Sequence, residues 1–330
     1  MKKKWMTTLC IICTIGLVGC QVKSADEKKQ EQPIQESERK AEDLKKPVAI
    51  EQQQTESVVV EIVDPSTKAI IQIISPKEMG YERDKQSYTK QIEQLAKELA
   101  RGNEKTAGYD KRMILDKLDD QGKLMKGSPL IVLKESELVD RILEASAIGG
   151  KVEMPLYITE SGYYLEDIPL LENVVVASYT TYFNTYDVGR NKNIELSAKA
   201  INNVIVGSGD YFSFNTVVGP RDEANGYQPA PEIINKKVVM GIGGGICQTS
   251  STLFNAVDQI PVKFVERHHH SLDVGYVPKG RDATVSYGGL DFRFHNTSDV
   301  PFLIKANYSK NSLTVEVRTA EKFVEVLKKS

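Results

Sequence analysis

The sequence predicts an α+β protein in which helices pack on a largely antiparallel sheet. Apolar residues recur at helical spacing in several separate runs, and the last part of the chain alternates apolar and polar residues in strand-length segments. Turn residues divide these runs, and in the second domain the helices come early and the antiparallel sheet late. At ~150 residues per domain the length suits two domains, and a small α+β domain over residues 58–150 is expected ahead of a larger one.

In chain order, Val58–Val63 and Ala69–Ile74 are expected strands of a hairpin about Asp64-Pro65-Ser66-Thr67. Tyr88–Arg101 places Ile92, Leu95 and Leu99 on one helical face and stops at Gly102. Lys111–Leu118 and Glu135–Ala147 are further expected helices, the second stopped by Ile148-Gly149-Gly150. Residues 151–178 form a strand-rich connector, and Val174–Phe183 is a strand on its β-branched and aromatic content. Asn193–Val206 is an expected helix with Ile194, Ala198, Ile201 and Ile205 aligned. Tyr211–Asn215, Ala283–Tyr287, Asp291–His295, Pro301–Tyr308 and Leu313–Thr319 are expected strands, the last two joined by a turn at Lys310-Asn311. A short tail, 321–330, follows.

The N-terminus carries an address. Lys2, Lys3 and Lys4 precede an apolar run from Trp5 to Val18 that is short for a membrane span. It ends in Leu17-Val18-Gly19-Cys20, which resembles the lipobox of bacterial lipoproteins. That resemblance implies a signal over residues 1–20, lipid on Cys20, and a body held on the outer face of the cell membrane. Residues 21–57 are rich in Glu, Lys, Gln and Ser and have no aromatic residue, the composition of a disordered tether. The formal net charge of −2 and pI near 6.2 exclude an electrostatic case for nucleic-acid binding. With Cys10 and Cys13 in the signal and Cys20 lipidated, Cys247 is the single thiol left, so no internal disulfide is expected.

The stretch Gly241–His270 concentrates the chemistry. Gly243, Gly244 and Gly245 are unfavourable inside a helix, whereas Leu253, Phe254 and Val257 follow at helical spacing with Ser, Thr and Asn on the other face. Cys247 is therefore expected in a first helical turn, where unpaired N–H groups and the helix dipole favour a thiolate. His270 follows after room for a helix, a turn and a short return, the arrangement of a thiol acyl-transfer pair. Taken alone, a buried structural cysteine beside a tight glycine turn fits the same residues.

Several further stretches carry a family resemblance. They are Phe212-Ser213-Phe214-Asn215, Gly219-Pro220-Arg221, Gly243–Asn255, Glu266-Arg267, His270-Ser271, Tyr276-Val277-Pro278, Gly280–Thr284, Tyr287-Gly288 and Asp291-Phe292. Tyr179–Val317 resembles the VanW domain, so residues 179–320 are identified as a VanW-type domain. The resemblance implies an exported or membrane-anchored bacterial protein with a cell-wall association and no established reaction. Val58–Gly150 is then a candidate wall-binding module, and peptidoglycan or its stem peptides the candidate partner.

The resemblance singles out His270 among the three adjacent histidines. The functional expectation is Cys247 as nucleophile and His270 as general base, with either Asp282 or Asp291 orienting the imidazole. The order Cys, His, Asp is similar to that of papain-like and transglutaminase-like enzymes. Backbone N–H groups around Gly245 and Ile246–Gln248, and the Gln248 side chain, are candidate oxyanion donors. Arg221, Arg267 and Arg281 are candidate carboxylate binders. His268, His270, Cys247 and Glu266 are acceptable zinc ligand types, yet no H-E-x-x-H occurs and the one C-x-x-C spacing, Cys10 to Cys13, lies in the expected signal, so neither metal nor cofactor is expected. A thiol-dependent peptidase, amidase or transpeptidase acting on peptidoglycan is the favoured expectation, and a non-catalytic wall-binding or scaffolding lipoprotein the alternative.

Overall fold

A computed structural model describes residues 57–234 and 236–328. Cys20, the expected signal and the expected tether lie outside the described residues, apart from Ser57. The first strands form as expected: Val60–Val63 pairs antiparallel with Ile70–Ile74, and on its other edge parallel with Gly150–Glu153. Helices Lys85–Arg101 and Glu135–Ala145 cover this three-stranded sheet. Val60, Ile62, Tyr88, Ile92, Leu138 and Ile142 form the core between them, all fully buried. Asp84 caps the first helix by accepting from the Ser87 N–H, and Tyr88 Oη meets Ser146 Oγ at 2.6 Å in the interior.

The expected helix at Lys111–Leu118 does not form. Met113 and Leu115 are buried on alternate positions of an extended segment, and Lys117–Leu118 is a strand. Extended backbone lets this segment enter a six-stranded antiparallel sheet. Its order is Leu124–Met125, Lys117–Leu118, Val204–Val206, Phe302–Tyr308, Ser312–Thr319, Val174–Tyr182. Met113 and Leu115 thus pack in the core of this larger sheet.

The expected helix Asn193–Val206 is divided between two elements. It runs over Val188–Ile201, and Val204–Val206 is a fully buried central strand. Asn203, at φ 64°, makes the left-handed turn between them, a conformation asparagine tolerates better than most residues. The β-branched Val204-Ile205-Val206 then suits the sheet better than a helix end.

Helices Val188–Ile201 and Ile246–Val257 pack against the six-stranded sheet, with Ile194, Ile201, Leu253, Val257, Ile304 and Val315 in the shared core. A second antiparallel sheet orders Tyr211–Ser213, Arg293–Asn296 and Val262–Glu266. The rings of Phe212 and Phe294 stack within it, 4.8 Å apart. Residues Pro229–Ile234 and Lys237–Ile242 form a separate hairpin that no sequence signal had marked. The expected strand Ala283–Tyr287 is irregular save for one bridge, Thr284 to His268, because its backbone groups bond to the helix that carries Cys247.

Candidate active site

Three glycines aim the thiol. Gly245 adopts φ 105° at the helix start, and a Cβ there would meet Arg190 Cγ at 2.8 Å and Arg190 O at 3.0 Å. A Cβ on Gly244 would meet the carbonyl oxygens of Ala230 and Pro231, each at 2.6 Å. The loop therefore lies tight between the helix Val188–Ile201 and the separate hairpin, and Cys247 is the second residue of the helix that follows. Gly244→Ala should destabilise the chain by about 1–3 kcal/mol, since both clashing atoms are backbone. A lowered unfolding midpoint in urea checks this; an unchanged midpoint would mean that the hairpin yields freely.

The helix is held by its polar face as well as its apolar one. Gln248, Thr249, Ser250, Ser251, Thr252 and Asn255 are all buried. Their partners satisfy them: Ser251 Oγ accepts the Ala283 N–H at 2.9 Å, Ser250 Oγ donates to Ala283 O, and Asn255 Nδ2 donates to Arg281 O at 2.8 Å. These bonds fasten the segment 281–285 alongside the thiol. Cys247, itself half-buried, receives the Val285 N–H at 3.5 Å and the Thr284 hydroxyl at 3.9 Å.

The same segment carries Asp282. Its carboxylate is buried and accepts three hydrogen bonds, from His270 Nδ1 at 2.7 Å, the His270 N–H at 2.7 Å and His269 Nδ1 at 2.8 Å. With Nδ1 so fixed, the His270 ring has its other nitrogen free for the thiol. Burial pushes the Cys247 thiol up, but hydrogen bonding and charge from His270, aided by Val285 and Thr284, outweigh it and hold the thiol below its usual value. Burial pulls His270 down, and the Cys247 sulfur and Asp282 outweigh that to raise it. Asp282 is likewise held low: the bonds from His270 and His269 exceed the effect of its burial. The three shifts run the same way: each favours the charged form of its group over the neutral one.

Asp291, the other candidate carboxylate, sits elsewhere. It accepts from Ser213 Oγ at 2.6 Å, the Asn215 N–H at 2.9 Å, Arg112 Nη1 at 3.2 Å and its own neighbour Phe292 N–H at 2.8 Å. It ties the second sheet together and makes no contact with His270. The Gln248 side chain is also committed, since Oε1 accepts from Arg190 at 2.6 Å and Nε2 donates to Thr181 Oγ1 and Tyr182 O. The Ile246 and Gln248 N–H groups bond Gly243 O and Gly245 O. The Cys247 N–H has no acceptor among the described residues, so it is the amide left to meet an oxyanion.

A cleft of about 830 Å³ opens over the sulfur and the imidazole. Of the three expected arginines only Arg221 lines it. Arg267 and Arg281 instead lie over the ring of Phe254, at 4.1 and 4.6 Å, and Arg281 is paired with Asp258 at 2.8 Å. Three further lining residues went unremarked in the sequence as site residues: Arg190, Glu232 and Tyr276. Tyr276 is pushed up by burial, with the Cys247 charge acting in the same direction. It lies within the stretch Tyr276-Val277-Pro278 that carries the family resemblance, which was the available signal. Arg190 sits beside Asn191 and Asn193, both buried polar residues of a helix whose apolar face reads as ordinary.

Among the described residues no group of three or more His, Cys, Asp or Glu side chains is arranged to hold a metal ion. His268 pairs with Glu266 at 3.0 Å, away from the His270–Asp282 contact. The zinc ligand types noted in the sequence therefore do not converge. No helix among the described residues is long and apolar enough to cross a membrane.

The chain thus brings Cys247, His270 and Asp282 together on an α+β scaffold, with the thiol and the imidazole facing one cleft. Residues 189–318 match the family described as "VanW like protein". The chain is 40% identical over 210 residues to the uncharacterized protein YoaR of Bacillus subtilis, covering 62% of this chain and 68% of that one. It is 32% identical over 117 residues to the vancomycin B-type resistance protein VanW of Enterococcus faecalis, covering 34% of this chain and 42% of that one. No solved structure matches the chain. The chain belongs to the VanW family.

Proposed function

We propose that this chain is a membrane-anchored, cell-wall-associated lipoprotein whose VanW domain performs thiol-dependent acyl transfer on peptidoglycan stem peptides. The observation that carries the reading is His270 held by Asp282 through Nδ1 at 2.7 Å, with Cys247 on the lining of the same cleft. The name of the Enterococcus faecalis relative, a vancomycin resistance protein, and the lipobox-like sequence at Cys20 support the cell-wall setting. Residues 58–150, apart from the segment Met113–Met125 that enters the larger sheet, serve as the candidate wall-binding module. The Cys247 thiolate attacks a peptide carbonyl carbon, forming a C–S bond and an oxyanion that the Cys247 N–H receives. The C–N bond breaks as His270 gives its proton to the leaving amine. Water or a second amine then cleaves the thioester, its proton passing to His270, which restores the starting pair.

The test incubates the full chain, in detergent, with purified peptidoglycan and separates the products by mass. New stem-peptide products are expected with the wild type and none with Cys247→Ser. If wild-type Cys247 resists iodoacetamide until denaturant is added, and no products form, the catalytic reading fails and a non-catalytic binding lipoprotein takes its place.

A further inference from the structure

Two cations in the cleft have no part in the chemistry of the thiol. Arg221 Cβ lies 3.5 Å from where a Cβ on Gly243 would stand, and Arg190 Cγ 2.8 Å from where one on Gly245 would stand. Both side chains thus flank the loop that delivers Cys247. Burial pulls both guanidiniums down from the usual arginine value, and the charge of the Cys247 sulfur is among the groups that oppose this. Neither forms an ion pair among the described residues. Arg190 donates to Gln248 Oε1 at 2.6 Å. Arg221 donates from Nη2 to Asn215 Oδ1 at 2.7 Å, while its Nε and Nη1 are buried with no partner.

Such an arrangement is costly. A buried guanidinium without a counter-charge, with two unused donors, is destabilising unless something completes it. Glu232, on the hairpin that lines the cleft, is raised by burial with the Arg221 charge opposing, and it forms no ion pair with either arginine. Asp273, the other carboxylate of the cleft lining, pairs with Lys279 at 3.3 Å and with neither arginine. The unused Nε and Nη1 donors of Arg221 therefore suit the oxygens of an anion that enters the cleft.

We propose that Arg190 and Arg221 form a carboxylate subsite that seats the free α-carboxylate of a peptide's C-terminal residue, so that Cys247 attacks the bond just before that residue. The proposal rests on the acyl-transfer reading and adds that the substrate is taken from its free end. Both arginines flank Gly243 and Gly245, the residues just ahead of the thiol, which sets the subsite beside Cys247. In the reaction the C–N bond to the terminal residue breaks, the amino acid leaves with the His270 proton, and the remaining acyl group stays on sulfur until water or an amine takes it.

The test needs no natural substrate. The full chain is alkylated with neutral iodoacetamide and with anionic iodoacetate, and the ratio of rates is compared with that for 2-mercaptoethanol; the ratio cancels any change in thiolate fraction. The wild type should favour iodoacetate beyond 2-mercaptoethanol, and Arg221→Met should lower the ratio about tenfold, with Arg221→Lys between them. A wild-type ratio equal to that of 2-mercaptoethanol overturns the subsite while leaving the thiol chemistry intact. Absence of reaction with iodoacetamide overturns the acyl-transfer reading itself. Should Arg221→Met fail to fold, protection of wild-type Cys247 by an N-acetylated dipeptide acid is compared with protection by its C-terminal amide. The acid should protect at about tenfold lower concentration; equal protection, or none, refutes the subsite.

Discussion

Replacing His270 with alanine is expected to move the Cys247 thiol above the reference value of about 8.5 and to slow its alkylation at pH 7 at least about tenfold. The direction follows from the balance at the sulfur. Burial acts to raise the thiol, and hydrogen bonding and charge from His270 are the largest effects opposing it. Once the imidazole is gone, burial prevails over the remaining bonds from Val285 and Thr284. In the wild type the iodoacetamide rate should rise with a midpoint below the free-thiol value; in the variant that midpoint should shift upward. A midpoint that stays put would show that His270 does not activate the thiol.

Stability should follow the same pair. The folded thiol lies below its unfolded value, so its contribution is present above the unfolded thiol value and is lost as pH falls through the lowered folded one. His270 is raised, so its contribution is full below its unfolded value of about 6.5 and is lost as pH rises through the folded one. His270→Ala should remove the histidine slope and reverse the thiol slope, so that stability falls as pH rises through the thiol's range.

The second large effect separates two carboxylates that the sequence left equivalent. Asp282→Ala removes the acceptor for His270 Nδ1 and for the His270 N–H, so the ring loses both its orientation and its counter-charge. The expected results are a His270 value lowered toward or below that of a free imidazole, slower alkylation of Cys247 at pH 7, and a stability loss of about 2–4 kcal/mol. Asp291→Ala should cost about 1–3 kcal/mol, because Ser213, Asn215 and Arg112 lose their acceptor. It should leave the thiol's pH profile where it was. Chemical unfolding and iodoacetamide profiles on both variants decide the matter, and a shifted profile in the Asp291 variant alone would reverse the assignment.

Local pattern carried much of the architecture. The hairpin at Val60–Ile74, the helices ending at Arg101 and Ala145, and the paired strands Phe302–Tyr308 and Ser312–Thr319 follow from periodicity and turn residues. Where the pattern was ambiguous, the sheet decided. Met113 and Leu115, two positions apart, share a face only in an extended run, and Val204-Ile205-Val206 continued a helical pattern only until a central strand position claimed it. Ala283–Tyr287 has strand composition, yet its backbone bonds go to the helix Ile246–Val257 rather than to a neighbouring strand.

The sequence by itself determined the ingredients of the site. A glycine loop before a helix, one thiol at its first turn and a histidine beyond it are local facts of spacing, and the residue types restrict their chemistry. The tertiary structure alone decided which carboxylate meets His270, because Asp282 and Asp291 differ in the sheet and loop contacts around them and not in any local signal. It also decided that Gln248 is consumed by Arg190 and that Arg267 and Arg281 cover Phe254 while Arg221 faces the cleft. Side-chain partnership depends on long-range packing, and that information resides in contacts between residues far apart in the chain.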